Sequence, residues 1–362
     1  MSDSLKPDNP IEPDRLKAFV RAVGRRAGLP AESAEMLAES LVQADMMGVH
    51  THGTKLLAGY VRKLLAGGYR AQGVPRIMRE GPSWAIVDGD STLGQVGCTK
   101  AIHLAIQKAR QSGVAYVSLQ NSGHIGAAGS YATMAARAGC LGIVMGNDVP
   151  SVAAPGSRRA VLGSNPLAWA APRPDGDPIL FDISTAAVAG GKVYAALARG
   201  EPIPPHWLIG DDGRPTTDGR LYPANAALAP MAGHKGYGLA MLVEILSGVM
   251  SGGAVASEVG SWMTDPADLP SRHAAGFIVF DLNALCQDAE YLTAMRKLTQ
   301  QVHQAPPANS VQGVVLPGES EWKRYHESEV IGLTLPTDVR VNLSAAADLV
   351  GLKPRIAFSP NF

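Results

Sequence analysis

The side chains best suited to chemistry stand in glycine-bounded turns. Gly48-Val49-His50-Thr51-His52-Gly53 lies between two amphipathic runs. An imidazole exchanges its proton near pH 6.5 and so suits proton transfer to or from a carbonyl oxygen. His50 and His52 could instead be half of a metal site, or simply packed at a helix junction; no Cys, Asp or Glu stands at matching local spacing, and no metal is expected. Asn121-Ser122-Gly123-His124-Ile125-Gly126-Ala127-Ala128-Gly129 follows a strand-like run and opens a helix. Such a turn offers backbone N–H groups and a helix N-terminus to an anion, with His124 either facing the ligand or closing a tight turn. Four weaker signals join these. Gly163-Ser164-Asn165-Pro166 turns into a strand, and hydroxyls follow a strand end in Phe181-Asp182-Ile183-Ser184-Thr185. Lys235 opens a helix in His234-Lys235-Gly236-Tyr237-Gly238, where it can pin a phosphate or ribose oxygen, and Leu316-Pro317-Gly318-Glu319 is a late turn.

Several common chemistries are absent. Gly123, Gly126 and Gly129 have the wrong first spacing for a dinucleotide-binding GxGxxG, and the run from Gly236 and Gly238 ends on Met241. No GxxxxGK[ST], HExxH or GxSxG occurs; Gly81-Pro82-Ser83-Trp84-Ala85 misses the last at its final position.

The elements that must position these turns change character along the chain. Leu16, Phe19, Val20 and Val23, then 31–47, then Leu56, Leu57, Tyr60, Val61, Leu64 and Leu65 repeat at helical spacing up to Gly67-Gly68. From about residue 80, short β-rich runs (84–87, 114–119, 141–145, 166–171, 179–182, 276–282) alternate with helical ones (100–111, 128–138, 237–249, 288–303). The expected class is α/β (α+β). A helical subdomain over 1–78, completed by 320–362, precedes an α/β body over 79–319.

Composition narrows the partners. With 32 Lys+Arg against 32 Asp+Glu the formal charge is zero, which argues against nucleic acid or a charged membrane surface. The most membrane-like stretch, 236–255, is interrupted by Glu244 and reads as a buried helix. Cys98, Cys140 and Cys286 are widely spaced, and the opening MSDSLKPDNP lacks a secretory pattern, so the cytoplasm is expected. The 40 glycines in 362 residues exceed the usual ~7%, which implies either loose linker or many sites of close backbone approach.

The order of the motifs resembles the malate/L-lactate/ureidoglycolate dehydrogenase superfamily, which includes sulfolactate dehydrogenases and piperideine-carboxylate reductase. Thr51-His52-Gly53, Tyr60, Val87-Asp88-Gly89, Leu93-Gly94, Asn121-Ser122-Gly123-His124, Gly163-Ser164-Asn165-Pro166, Pro215-Thr216-Thr217-Asp218, 235–239 and Pro317-Gly318-Glu319 carry it over about 15–335. The resemblance implies a homodimeric oxidoreductase using NAD or NADP, with a mixed-sheet, non-Rossmann NAD(P)-binding domain beside the helical subdomain. It implies His52 as proton donor and His124 as a second acid/base. Thr51 and Lys55 would face the substrate, and Asp148, Ser184, Thr185, Ala186, Lys235, Gly236, Pro317, Gly318 and Glu319 the cofactor.

Two departures bear on the substrate. The family's Arg four residues after its His, a carboxylate clamp, is Leu56 here; Lys55 beside it lacks the guanidinium fork and points to another side of a helix. The family's Asp after Trp207 falls on Gly210. The implied reaction is interconversion of a 2-oxo acid and a 2-hydroxy acid. Reduction of cyclic or N-alkyl imino acids and a dinucleotide-binding protein without catalysis are the alternatives.

Overall fold

In the computed structural model, which describes residues 10–311 and 313–353, the chain begins with α1 (Pro13–Arg26), α2 (Ala31–Met46) and α3 (Leu57–Ala66). Pro13 and Asp14 open α1 and Arg25 and Arg26 close it, matching the helix dipole at both ends, and Gly67 ends α3 at φ 91°. Next come β1 (Arg76–Gly81), β2 (Trp84–Asp88), α4 (Gly94–Ser112), β3 (Val114–Ser122), α5 (Ala128–Arg137) and β4 (Cys140–Gly146). The middle of the chain supplies β5 (Val152–Ala153), β6 (Ala160–Leu162), β7 (Leu167–Ala171), β8 (Ile179–Ile183), α6 (Gly190–Ala198), β9 (Leu208–Gly210), β10 (Pro215–Thr216) and β11 (Ala226–Leu228). It closes with α7 (His234–Glu244), β12 (His273–Asp281), α8 (Leu282–Leu285), α9 (Asp288–His303), α10 (Glu319–Ile331) and α11 (Thr337–Leu349).

Two mixed sheets form. The larger has the order β1-β2-β3-β12-β4-β7-β8 and is antiparallel except between β2 and β3; the smaller runs β10-β9-β11-β5-β6. β12 is central and largely apolar because it is covered on both faces. Gly276 admits the Leu246 carbonyl to 2.6 Å from where a Cβ would stand. A core of Ile102, Ala105, Val117, Tyr131, Ala135, Val144 and Phe277 joins α4 and α5 to this sheet. A separate core joins Phe19, Leu41, Tyr60 and Val61 of the first three helices to Val339 and Leu343 of α11. α10 touches both, through Trp322 and Tyr325.

Beyond β5, β6, α6, β9, β10 and β11, which the sequence pattern did not mark, three elements differ from the sequence expectation. α4 begins at Gly94 instead of near Lys100, because Gly94 and Gly97 are packing positions: a Cβ at Gly94 would overlap the His124 carbonyl, and one at Gly97 would lie 2.9 Å from Leu119. β1 was not expected, since its polar residues suit an open edge. The apolar stretch after Gly236 is not a buried helix throughout. It is α7 followed by a π-helical turn, Ile245–Val249; Ala240, Val243, Glu244 and Ser247 face inward, while Met241, Leu242, Ile245, Val249 and Met250 are exposed. No helix among the described residues is long and apolar enough to cross a membrane.

Candidate active site

His52 stands in a turn built on one buried carboxylate. Asp45, in the last turn of α2 and 1% exposed, accepts from the Thr54 N–H at 2.9 Å, the Thr54 hydroxyl at 2.6 Å and His50 Nδ1 at 2.9 Å. Gly53 is required between them, because a Cβ there would overlap the carboxylate. His50 thus turns inward to Asp45, while half-buried His52 is left to the site with its Nδ1 3.0 Å from Thr51 Oγ1. The opposite wall of this turn is the start of α6, where Gly191 would place a Cβ 3.7 Å from Thr51.

His124 arrives on the turn between β3 and α5. The Gly123 N–H donates to the Thr92 carbonyl at 2.8 Å, and the His124 N–H donates to the Tyr69 hydroxyl oxygen at 3.1 Å. Its ring lies 6.0 Å from that of His52 with 26° between planes, and Trp262 stacks on it at 4.9 Å and 21°. Tyr60 OH is 2.7 Å from His124 Nδ1, and the Gln95 amide nitrogen donates to Tyr60 at 3.3 Å. Burial keeps the Tyr60 phenol protonated at all ordinary pH. With its oxygen accepting from Gln95, Tyr60 directs its proton to Nδ1, so the His124 proton sits on Nε2. Burial first, then the neighbouring His273 and His52, pull His124 down to about 3 against the charge of Asp148. It is a neutral N–H donor.

His52 differs in its electrostatics. Burial lowers it below 6.5, but Asp182 and Asp148 pull the other way. Asp182, at the end of β8, accepts from the Gly129 N–H at 2.7 Å. Although its surface is largely open, protein crowded around the carboxyl raises it against the Gly129 N–H and His52. Asp148 is held at about 2: burial opposes its ionisation, but the His273 hydrogen bond, the electrostatic influence of the His273 and His124 rings and the Val149 N–H outweigh it. His273 Nε2 lies 3.2 Å from Asp148 and its Nδ1 3.0 Å from Ser271 Oγ, which in turn meets Tyr69 OH at 3.1 Å.

The other expected residues fall into three places. The Ser164 hydroxyl donates to Asp148, half-open Ser184 to the Ser164 carbonyl, and fully buried Thr185 to the Ser164 and Asn165 carbonyls; Ala186 bridges Pro230. The Thr185 carbonyl accepts from the Met231 N–H, whose own carbonyl accepts from Gly236, leading to Lys235, exposed and without an acidic partner among the described residues. Pro317 and Gly318 lie along β8: the Pro317 carbonyl accepts from the Leu180 N–H, and Gly318 at φ 87° leaves no room for a Cβ beside Leu180. Glu319 accepts from Arg173, His303 and the Leu316 N–H, which together outweigh partial burial and lower its pKa. Lys55, expected at the substrate, pairs with Asp338 of α11 at 2.7 Å, and Leu56 packs into the helical core. Gly210 closes the hairpin of β9 and β10. Among the described residues, no group of three or more His, Cys, Asp or Glu is placed to hold a metal ion.

Sequence reasoning did not assign Asp45, Tyr69, Gln95, Asp182, Trp262, Ser271 or His273. Only Asp182 carried a local signal, a carboxylate at a strand end beside two hydroxyl residues.

Comparison with known proteins follows the same lines. The sequence model of the malate/L-lactate dehydrogenase family matches residues 11–344. A malate dehydrogenase of Pyrococcus horikoshii is 34% identical over 350 residues, 95% of this chain and 96% of the relative, and its solved structure superposes with a TM-score of 0.86. The ureidoglycolate dehydrogenase (NAD(+)) of Escherichia coli K12 is 35% identical over 315 residues, 87% of this chain and 89% of that one. The solved delta1-piperideine-2-carboxylate reductase of Pseudomonas syringae matches with a TM-score of 0.84 at 28% identity, covering 94% of this chain and 99% of that one.

The Asp45 turn makes a direct prediction. Asp45→Ala leaves two Thr54 donors and His50 without their acceptor, at a cost of about 3 kcal/mol. Urea denaturation should show that loss, and a variant as stable as the parent would remove Asp45 from this role.

Proposed function

This chain belongs to the malate/L-lactate dehydrogenase family, and from that premise we propose that it interconverts a 2-oxo acid and a 2-hydroxy acid with NAD or NADP. The stacked pair His52 and His124 carries the reading. His124, neutral with its proton on Nε2, donates a hydrogen bond that orients and polarises the substrate oxygen. His52, flanked by Asp148 and Asp182, gives its proton to that oxygen in reduction and takes it back in oxidation. Thr51 steadies the far nitrogen of His52.

The chain's own groups suit a dinucleotide. Lys235 offers a cationic donor for phosphate beside Gly236, whose N–H is held by the Met231 carbonyl, and half-open Ser184 offers a hydroxyl for ribose. Asp148, Thr185 and Ala186 hold that ground from behind; Pro317, Gly318 and Glu319 are assigned to the cofactor by the family resemblance, while their contacts are with Leu180, Arg173 and His303. When bound, the reduced nicotinamide supplies the hydride. The substrate acid is not clamped from the His52 turn, because Leu56 is in the core and Lys55 is on Asp338.

A second reading, reduction of a cyclic imino acid, is favoured by Asp148 and Asp182, whose charge suits a protonated C=N. The likeness to a piperideine-carboxylate reductase supports it as well. Free cysteines at 98, 140 and 286 support a cytoplasmic setting. The open apolar face of α7 and its π turn supports a homodimer formed there, since patches of this kind mark association surfaces.

His52→Ala should lower kcat for oxaloacetate, pyruvate or piperideine-2-carboxylate reduction about 10²- to 10⁴-fold while NADH or NADPH still binds by fluorescence titration. Unchanged turnover would exclude His52 as the donor, and a parent that binds dinucleotide but reduces none of these would favour the non-catalytic reading. Because His52 lies below 6.5, reduction, which consumes its proton, should fall as pH rises through that lowered value. Oxidation, which needs the neutral ring, should rise through the same value; a pH–rate profile in both directions checks the sign. Ile245→Asp should convert the dimer to a monomer by light scattering, and an unchanged mass would move the contact to another face.

A further inference from the structure

Lys63 is one turn beyond Tyr60 on α3 and only 1% exposed. No carboxylate among the described residues pairs with it; its ammonium donates to the Pro266 carbonyl at 2.9 Å and the Leu269 carbonyl at 2.7 Å. Burial lowers its pKa, and Asp265 and Asp268 of the same loop oppose this only through space; a buried ammonium whose hydrogen bonds all go to carbonyls is a costly way to fill space that an apolar side chain would fill more cheaply. What it holds is the loop 263–270, otherwise largely open to solvent. That loop begins at Trp262, which is 8% exposed, stacks on His124 at 4.9 Å and lies tilted against Tyr60 at 5.0 Å.

The end of α3 is shaped to the same loop. Gly68 has no Cβ where one would overlap the Ala267 carbonyl, and Gly59 leaves Trp262 room at 2.6 Å from the Cβ position. On the loop's own side, Asp265 accepts from the Ser261 N–H at 2.8 Å, and the Gly260 N–H donates to the Ser271 carbonyl at 2.9 Å. These bonds close the base of the loop, while Lys63 is the tie between its outer half and α3.

We propose that Lys63 is a positioning residue: by clamping the Pro266 and Leu269 carbonyls it seats Trp262 over His124 and keeps water from that imidazole. The inference rests on His124 belonging to the active site. The groups facing His124 are the rings of His52 and His273, the Asp148 carboxylate, and the hydroxyls of Tyr60 on Nδ1 and of Tyr69 on its backbone N–H. The Lys63 ammonium bonds none of them; only its backbone carbonyl meets one, accepting from the Tyr69 N–H at 3.1 Å, a bond that a side-chain substitution keeps. A change at His124 caused by losing the ammonium therefore passes through the loop and Trp262.

The test compares Lys63→Met, Lys63→Arg, Trp262→Leu and the Lys63→Met/Trp262→Leu double variant in the full chain, each checked for folding by thermal melt. Histidine NMR on the parent should show His124 still neutral at pH 5. In Lys63→Met and in Trp262→Leu it should begin to protonate between pH 5 and 6.5, and Lys63→Arg, which keeps the donors, should restore the parent titration. With oxaloacetate and NADH or NADPH, Lys63→Met should lower kcat about 10- to 100-fold, as small misplacements of a site do, with the dinucleotide KM unchanged. The double variant should be no worse than Trp262→Leu alone. An unchanged His124 titration in Lys63→Met, or effects that multiply in the double variant, would overturn the proposal. The NMR measurement needs no substrate, so an error in the proposed reaction leaves it standing. If Lys63→Met does not fold, Gly68→Ala, which pushes the same loop from below, must give the same shift at His124 or the proposal fails.

Discussion

The site depends first on a carboxylate that never reaches it. Asp45 is buried at the end of α2 and is satisfied by two donors from Thr54 and one from His50. An ionised carboxylate without such donors would not survive burial, because desolvation costs several kcal/mol per ion. The three bonds therefore bind the turn from His50 to Thr54 into one shape, and the glycine between them is obligatory. His52 points outward because His50 is committed inward. What resembled a pair of metal ligands in the sequence is a division of labour, one imidazole holding the turn and the other left free.

From this turn the site is assembled across distances that no local pattern spans. Tyr60 and Tyr69 come from the helical layer, His124 from the turn between β3 and α5, Ser271 from just before β12 and His273 from its first residue. A continuous run of hydrogen bonds joins Asp148, His273, Ser271, Tyr69 and the His124 backbone, while Tyr60 and Gln95 take the ring from the other side. A buried polar network rigidifies where its members are satisfied; the run from Asp148 to the His124 backbone is bonded at every member, whereas Gln95 Oε1 has no partner among the described residues. The network sets the two imidazoles apart in degree: burial lowers both, His124 to about 3, whereas at His52 the nearby carboxylates pull against the lowering.

How much of this was legible in the sequence follows from the range of each interaction. His52 and His124 were visible because the glycines around them reveal turns of unusual shape. Gly53 clears Asp45, and Gly94 clears the His124 carbonyl, so part of the glycine excess answers to close approach instead of linker. The helical layer was visible through its 3.6-residue periodicity. Trp262, Lys63 and His273 were not, since their partners lie between about 120 and 210 residues away along the chain and nothing in their own neighbourhoods marks them. Glu244 looked like an interruption in an apolar stretch. It is instead a buried acceptor for the Asn147 and Asn165 amides, which flank Asp148 in space, and for the Ala256 N–H. One charged residue thereby forces the inner face of α7 to be polar at one point and leaves the apolar residues of that helix turned outward.

The same distinction separates the chemistry of the site from its selectivity. The proposed proton transfer needs two imidazoles at fixed separation, and the Asp45 turn, the Tyr60 hydroxyl and Trp262 hold His52 and His124 in place without a cation. Recognition of an acid needs positive charge at a particular distance from those rings. On the His52 turn that charge is absent, since Leu56 contributes to the helical core and the Lys55 ammonium is matched by Asp338. A residue packed into a core is under a different constraint from one reaching toward a ligand. Leu56 can therefore replace a cation without disturbing His52 four residues earlier, because Asp45, not the helix that follows, holds that turn. The geometry of proton transfer and the choice of substrate are thus set by different residues of the same short segment, and one can change while the other stays.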